Sequence, residues 1–192
     1  MNLIPEIFPS IQWFIVAKQQ QNNYLLQHFS APNNKYTNKY IIAGPNQLQT
    51  LIVPIIASTK SDDFSQVQID YSQKWIREHK NALQTAYGKS PFFEYYDYRI
   101  FDIFDQQIIE LSTLNQSLLV LVTKLIGLEN INFSPIVTDN SALIFNSDKM
   151  EISTPPFSQV FDDRYGFRPK VSILDLLFNL GPLCKDYFQA EF

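Results

Sequence analysis

Apolar positions fall into short clusters in the first third of the chain and into helical spacing from Ser72 onward. Leu3 to Phe8 is apolar and stopped by Pro9, which predicts a first strand and a turn. Ser10 can cap a helix from Ile11 to about Gln21, with Ile11, Phe14 and Ile15 on its inner face. Tyr24 to Phe29 reads as a second strand, and the polar stretch from Ser30 to Lys39 as a loop. Tyr40 to Ala43 and Leu51 to Ile56 flank Gly44-Pro45-Asn46, the pattern of a hairpin, and Val67 to Asp70 forms another short strand.

In the second half, Trp75, His79, Ala82, Leu83 and Ala86 give a helix over 72–87 that ends at Gly88. A second helix is expected over 91–105 and a third over 107–126, where Ile108, Leu111, Leu114, Leu118, Leu121, Val122 and Leu125 keep one apolar face. Strand-like pieces follow at Ile131 to Phe133 and Ala142 to Phe145, within a region where 140–156 looks like a surface excursion. Ser172 with Asp175 three residues on gives a variant capping box, and Ile173 to Leu180 is nearly all apolar before Gly181-Pro182, which predicts a short helix inside the core. Strands interleaved with helices point to a single α/β domain over residues 1–192, with one mixed, partly parallel sheet and packed helices. In such a sheet, ligands sit beyond the carboxyl ends of the strands.

The chain has 192 residues, of which 45% are hydrophobic and 15% aromatic, enough for one substantial core and incompatible with a disordered chain. Only 18% are charged and the net charge is −4, so the broad basic face that nucleic acid requires is missing and no nucleic-acid partner is expected. Cys184 is the single cysteine, which excludes an intramolecular disulfide and suits a reducing compartment. The start lacks the basic and then apolar pattern of a secretory signal, and the run Leu118 to Leu128 is too short to span a bilayer. The expectation is a soluble cytoplasmic protein without membrane insertion.

Candidate chemistry is concentrated in a few places. His79 carries the side chain whose ordinary pKa lies nearest neutrality, which suits acid–base work, although a helix histidine is also commonly packed and satisfied by a neighbour. Asp70 stands at a strand end and Lys74 one turn on, so they either pair with each other or serve a ligand. Asn33, Asn34, Lys35, Tyr36, Asn38 and Lys39 form a polar loop whose amides and ammonium groups could hold a carboxylate, sugar or phosphate, or simply face solvent. Gly88-Lys89-Ser90 lacks the upstream glycine and the preceding strand of a phosphate loop and reads as a helix–helix corner. Two histidines without cysteines or carboxylates at ligand spacing make no zinc site, and no metal is expected.

Several segments in order, Phe8-Pro9-Ser10-Ile11-Gln12-Trp13-Phe14, Ile69-Asp70 with Gln73-Lys74-Trp75, Lys80, Ala86 to Tyr96, and Ser172 to Asn179 with Gly181-Pro182, resemble the WbqC-like family as found in Bacteroidetes-type bacteria. The resemblance implies a transferase, passing an amino-acyl or acyl group from an activated acyl donor to a sugar or glycan precursor in O-antigen and surface polysaccharide biosynthesis. Tyr36, Asn38 and Lys39 keep the shape of the family's loop pattern, with Lys39 where arginine is usual and Leu180 where glutamate usually precedes Gly-Pro. A lysine there loses the bidentate fork. On this reading Ser10, Tyr36, Asn38, Lys39 and Lys74 bind substrate, and His79 or Asp70 takes the proton of the attacking group. The alternatives are a non-catalytic binding or assembly protein, a reading that homodimerisation would favour, and a nucleotidyltransferase-like enzyme suggested by the strand, proline and helix order at Phe8 to Phe14.

Overall fold

The computed structural model describes residues 2–3, 6–19, 23–28, 38–59, 63–129, 133–137 and 152–189. In chain order the elements are β1 (Asn2–Leu3), α1 (Ile11–Gln19), β2 (Asn23–His28), β3 (Lys39–Ala43), β4 (Leu48–Ile52), α2 (Trp75–Tyr87), α3 (Phe93–Asp105), α4 (Leu111–Leu125), β5 (Phe133–Val137), α5 (Asp162–Tyr165), α6 (Ile173–Leu180) and α7 (Cys184–Gln189). Single 3-10 turns occupy Ala57–Thr59, Phe64–Gln66 and Gly181–Leu183. The strand-like piece at Ala142 to Phe145 lies outside the described residues.

The expected single mixed sheet is corrected to two sheets. β1, β2 and β5 form a parallel trio with β2 in the middle, while β3 and β4 form a separate antiparallel hairpin. The reason lies in the edges of the hairpin. On β3, the Ile41 carbonyl accepts the Ser172 amide at 2.8 Å and the Ala43 amide donates to the Tyr87 hydroxyl at 3.3 Å. On β4, the Ile52 carbonyl accepts from the His79 ring at 3.2 Å. Backbone groups that a neighbouring strand would have paired are met instead by α2 and by the chain entering α6.

Other boundaries move for local reasons. The strand expected from Leu3 to Phe8 is confined to Asn2–Leu3 where described, and Phe8 has a φ of 46°, which no strand residue adopts. Val67 to Asp70 makes only isolated bridges, Ile69 with Ile55 and Gln68 with Glu110, because Pro54 has no amide with which to extend a ladder. The helix expected from Ser72 starts at Trp75, since Asp70 ties the Ser72 amide and hydroxyl into a turn. The third helix starts at Leu111 because Gln107 adopts a φ of 52° and the Leu111 amide bonds Val67 O.

The core gathers α1, the inward face of the hairpin and helices α2 to α4 around α6. Trp75, His79, Leu83, Ala86 and Tyr87 are the buried face of α2, and Trp75 meets Phe104 of α3 edge-on at 5.4 Å. Ile173 to Phe178 of α6 are all buried, as its apolar sequence predicts. The capping box does not form. The Ser172 hydroxyl caps nothing, its amide goes to Ile41, and Asp175 turns inward to accept from Tyr87 Oη at 3.0 Å and Gln159 Nε2 at 2.9 Å.

α6 ends at Gly181, whose φ of 53° with ψ of −122° is open only to glycine, and a Cβ there would stand 2.5 Å from Phe92 Cγ and Cδ1. Gly166 has a φ of 67° but open space around it. Gly181→Ala should therefore combine backbone strain with a ring clash and cost about 2–4 kcal/mol, against about 1–2 for Gly166→Ala. Urea unfolding of the two variants checks this, and equal losses would show that the Phe92 contact is slack.

Candidate functional site

Three separated stretches of chain meet beside α6. The Pro9 carbonyl accepts the Ile173 amide at 2.9 Å, Ser10 and Ser172 form an antiparallel bridge, and Ser172 in turn holds Ile41 of β3. Between them opens a cleft of about 130 Å³. Its walls carry Ser10 and Gln12 from the start of α1, Lys39 and Ile41 from β3, and Lys170 and Ser172 from the approach to α6. Phe8 and Tyr40, rings 4.9 Å apart, also line it, together with Glu6. Alternation along β3 explains the arrangement: Tyr40 and Ile42 are buried, while Lys39 and Ile41 are only half-buried.

The starts of α1 and α6 give the cleft its electrostatic character, because first-turn amides carry partial positive charge. Ser10 Oγ accepts the Trp13 amide at 3.3 Å. Ser172 is 2% exposed and its hydroxyl has no hydrogen-bond partner among the described residues. The Gln12 side chain is committed elsewhere, donating to the Ile152 carbonyl at 3.0 Å. Among the described residues the lining carries two lysines, Lys39 and Lys170, and one carboxylate, Glu6.

The residues singled out from the sequence are distributed unevenly. Ser10 and Lys39 line this cleft. Asn38 clamps the open end of the hairpin, donating from Nδ2 to Val53 O at 2.9 Å while its own carbonyl takes the Val53 amide at 2.8 Å. Asp70 and Lys74 do not border the cleft. Asp70 accepts from the Ser72 hydroxyl at 2.6 Å and from its amide at 2.9 Å, and these bonds hold its carboxyl below the ordinary range. Lys74 is exposed at the start of α2. Tyr36 lies outside the described residues.

His79 is buried behind Tyr40. A carbonyl can only accept, so Nε2 carries the proton that goes to Ile52 O, and Nδ1 accepts from Tyr40 Oη at 3.1 Å. Burial pushes the imidazole down to about 4. His79 thus reaches the cleft only through Tyr40. Lys170, Ser172 and Glu6 were not singled out from the sequence as ligand contacts. Ser172 was read as a helix cap, the one signal available, and Lys170 enters the site only because the Ser172 amide docks on β3.

A second, open groove of about 470 Å³ lies at the hairpin tip, bordered by Asn46, Gln47, Gln49, Glu78, Asn81 and Thr85. It holds no cation and none of the residues expected from the sequence.

The sequence model of the WbqC-like protein family matches residues 5–151. The chain belongs to this family. The matched part contains Ser10, Lys39, Asp70, Lys74 and His79 and ends before Lys170 and Ser172. No curated protein and no solved structure matches the chain. Among the described residues, no helix of this WbqC-like protein is long and apolar enough to cross a membrane.

Two buried groups of the WbqC-like protein have opposed titrations. Burial pushes Asp175 up from 3.8 to about 6 and His79 down from 6.5 to about 4. Between about pH 4 and 6, both are charged in the unfolded chain and both neutral in the folded one. Raised Asp175 contributes stability that is lost as pH climbs toward 6, while lowered His79 contributes stability that is lost as pH falls from 6.5 toward 4. The two slopes cancel, each integrating to on the order of 3 kcal/mol. Asp175→Asn should then leave a stability that rises with pH across this window, and His79→Gln one that falls, both relative to the parent. Denaturant unfolding at stepped pH tests the pair, and parallel curves for all three proteins would refute the assignment.

Proposed function

We propose that this WbqC-like protein is a transferase acting in the cytoplasm, moving an acyl or amino-acyl group from an activated donor to a sugar or glycan precursor of a surface polysaccharide. The cleft between the starts of α1 and α6 is its donor site. One observation carries the reading: two helix N-termini, Lys39 and Lys170 open on a single small cavity. Such a surface favours an anionic donor. Attack by an amine or hydroxyl on the acyl carbon forms the new amide or ester and breaks the bond to the activating group, which leaves as an anion on the wall that carries Lys39 and Lys170. The attacking group releases its proton, which Glu6 is placed to take. Tyr40, held by His79, fixes the floor beneath.

One observation favours the non-catalytic binding reading. His79 has both ring nitrogens occupied within the protein, and Asp70 stands away from the lining.

A thermal-shift screen of sugar nucleotides, acyl-coenzyme A and aminoacyl-adenylate analogues separates the two. A donor at 100 times its dissociation constant adds about 2.7 kcal/mol, a shift of roughly 5–10 °C for a chain of this size. Lys39→Ala should reduce the affinity of the hit by about tenfold, the loss of one charge-assisted hydrogen bond. Lys124→Ala, on an exposed turn of α4, should leave it unchanged. Glu6→Gln should keep or enlarge the shift and abolish transfer to an amine or hydroxyl acceptor. A hit indifferent to Lys39→Ala removes the donor site from this cleft, and binding without transfer to any acceptor puts the binding-protein reading first.

A further inference from the structure

Helix starts repel one another when placed side by side, because each presents about half a positive charge. In this protein Ser10 and Ser172, the residues that begin α1 and α6, are bridged directly. The Ile173 amide is met by Pro9, but the first-turn amides of Ile11, Gln12 and Leu174 have no acceptor among the described residues. Lys39 and Lys170 add two cations to the same walls, against one carboxylate, Glu6, among the described lining residues.

The second observation is independent of the helices. Ser172 lines the cleft, is 98% buried by its 2% exposure, and its hydroxyl has no partner among the described residues. A buried polar group left this way is uncommon and calls for an explanation, of which a place kept for a ligand is one. A serine hydroxyl turns among three staggered positions, so it can be delivered to a ligand without moving the chain.

We infer that this cleft binds a phosphoryl group, held by the paired starts of α1 and α6, the Ser172 hydroxyl and the ammonium of Lys170. The inference rests on the donor-site reading above and names the group that anchors the donor. A phosphoryl group offers three acceptor oxygens in a tetrahedral array, which matches donors that arrive from two helix starts, a hydroxyl and an ammonium. A planar carboxylate has two oxygens and leaves part of this set unused. The cleft has a volume of about 130 Å³. It admits the phosphoryl group and leaves the rest of a nucleotide or sugar phosphate at the open side.

Titration of inorganic phosphate at constant ionic strength, followed by calorimetry and by ³¹P line broadening, tests the assignment, with acetate as the carboxylate comparator. Phosphate should bind more tightly than acetate. Ser172→Ala and Lys170→Gln should each weaken phosphate by about tenfold, the scale of one charge-assisted hydrogen bond. Neither variant threatens the fold, since the Ser172 hydroxyl bonds nothing among the described residues and Lys170 is exposed. Glu6→Gln should tighten phosphate by removing a negative charge from the wall. Competition by a nucleoside diphosphate and by a hexose phosphate then shows which body the open side accepts. Phosphate binding unchanged in both Ser172→Ala and Lys170→Gln overturns the inference, as does acetate binding equal to phosphate. If a donor hit remains sensitive to Lys39→Ala while phosphate neither binds nor competes, the phosphoryl assignment fails and the donor cleft stands. If that hit and phosphate are both indifferent to cleft variants, both readings fall together.

Discussion

A helix buried over most of its length has to draw its polar partners from inside the protein, and α6 takes them from most of the described chain. The Ile173 amide is met by Pro9, and the amide of Ser172, just before the helix, by β3. Its one carboxylate, Asp175, collects the Tyr87 hydroxyl, the Gln159 amide and, more distantly, Asn179. Tyr87 and Gln159 are themselves anchored, Tyr87 by accepting the Ala43 amide and Gln159 by exchanging two bonds with the Arg168 backbone. Losing any one partner leaves a desolvated acceptor behind, so the arrangement tolerates little partial disassembly. The cleft exists because these same bonds hold β3 and the start of α1 against the start of α6.

Segments quoted for the family resemblance turn out to be the contact points of this arrangement. Tyr87, in the stretch from Ala86 to Tyr96, meets Asp175 in the stretch from Ser172 to Asn179. The Phe92 amide bonds the Phe178 carbonyl while its ring closes against Gly181. Pro9 and Ser10 border Ser172 and Ile173. Lys80 joins α2 to Asp105 of α3 at 2.6 Å, an exposed pair worth little by itself. Much of the motif content is thus architectural.

The elements that could be read from the sequence are those whose signal is local. α1 has a serine before an apolar face, α6 is apolar throughout, and the hairpin announces itself with Gly44-Pro45-Asn46. The separation into two sheets could not be read, because it depends on the Tyr87 hydroxyl, the His79 ring and the Ser172 amide reaching strand edges from distant positions. The same holds for the site. Ser10 and Lys39 stand at element boundaries rich in polar side chains and were visible, whereas Lys170 looks like any surface lysine until Ser172 docks. His79 shows the converse: its position beside Trp75 on a helical face is common to core and catalytic histidines, and only the partners of its two nitrogens distinguish them.

The bond between Pro9 and Ile173 joins the beginning of the described chain to its last part, and that has a kinetic side. Closing so long a stretch costs more chain entropy than forming a helix or the hairpin, which predicts that α6 docks among the later, non-local steps of folding. A ligand gripped by both helix starts finds no site until that step is over. It therefore acts on the lifetime of the finished protein, slowing unfolding while leaving the speed of folding where it was.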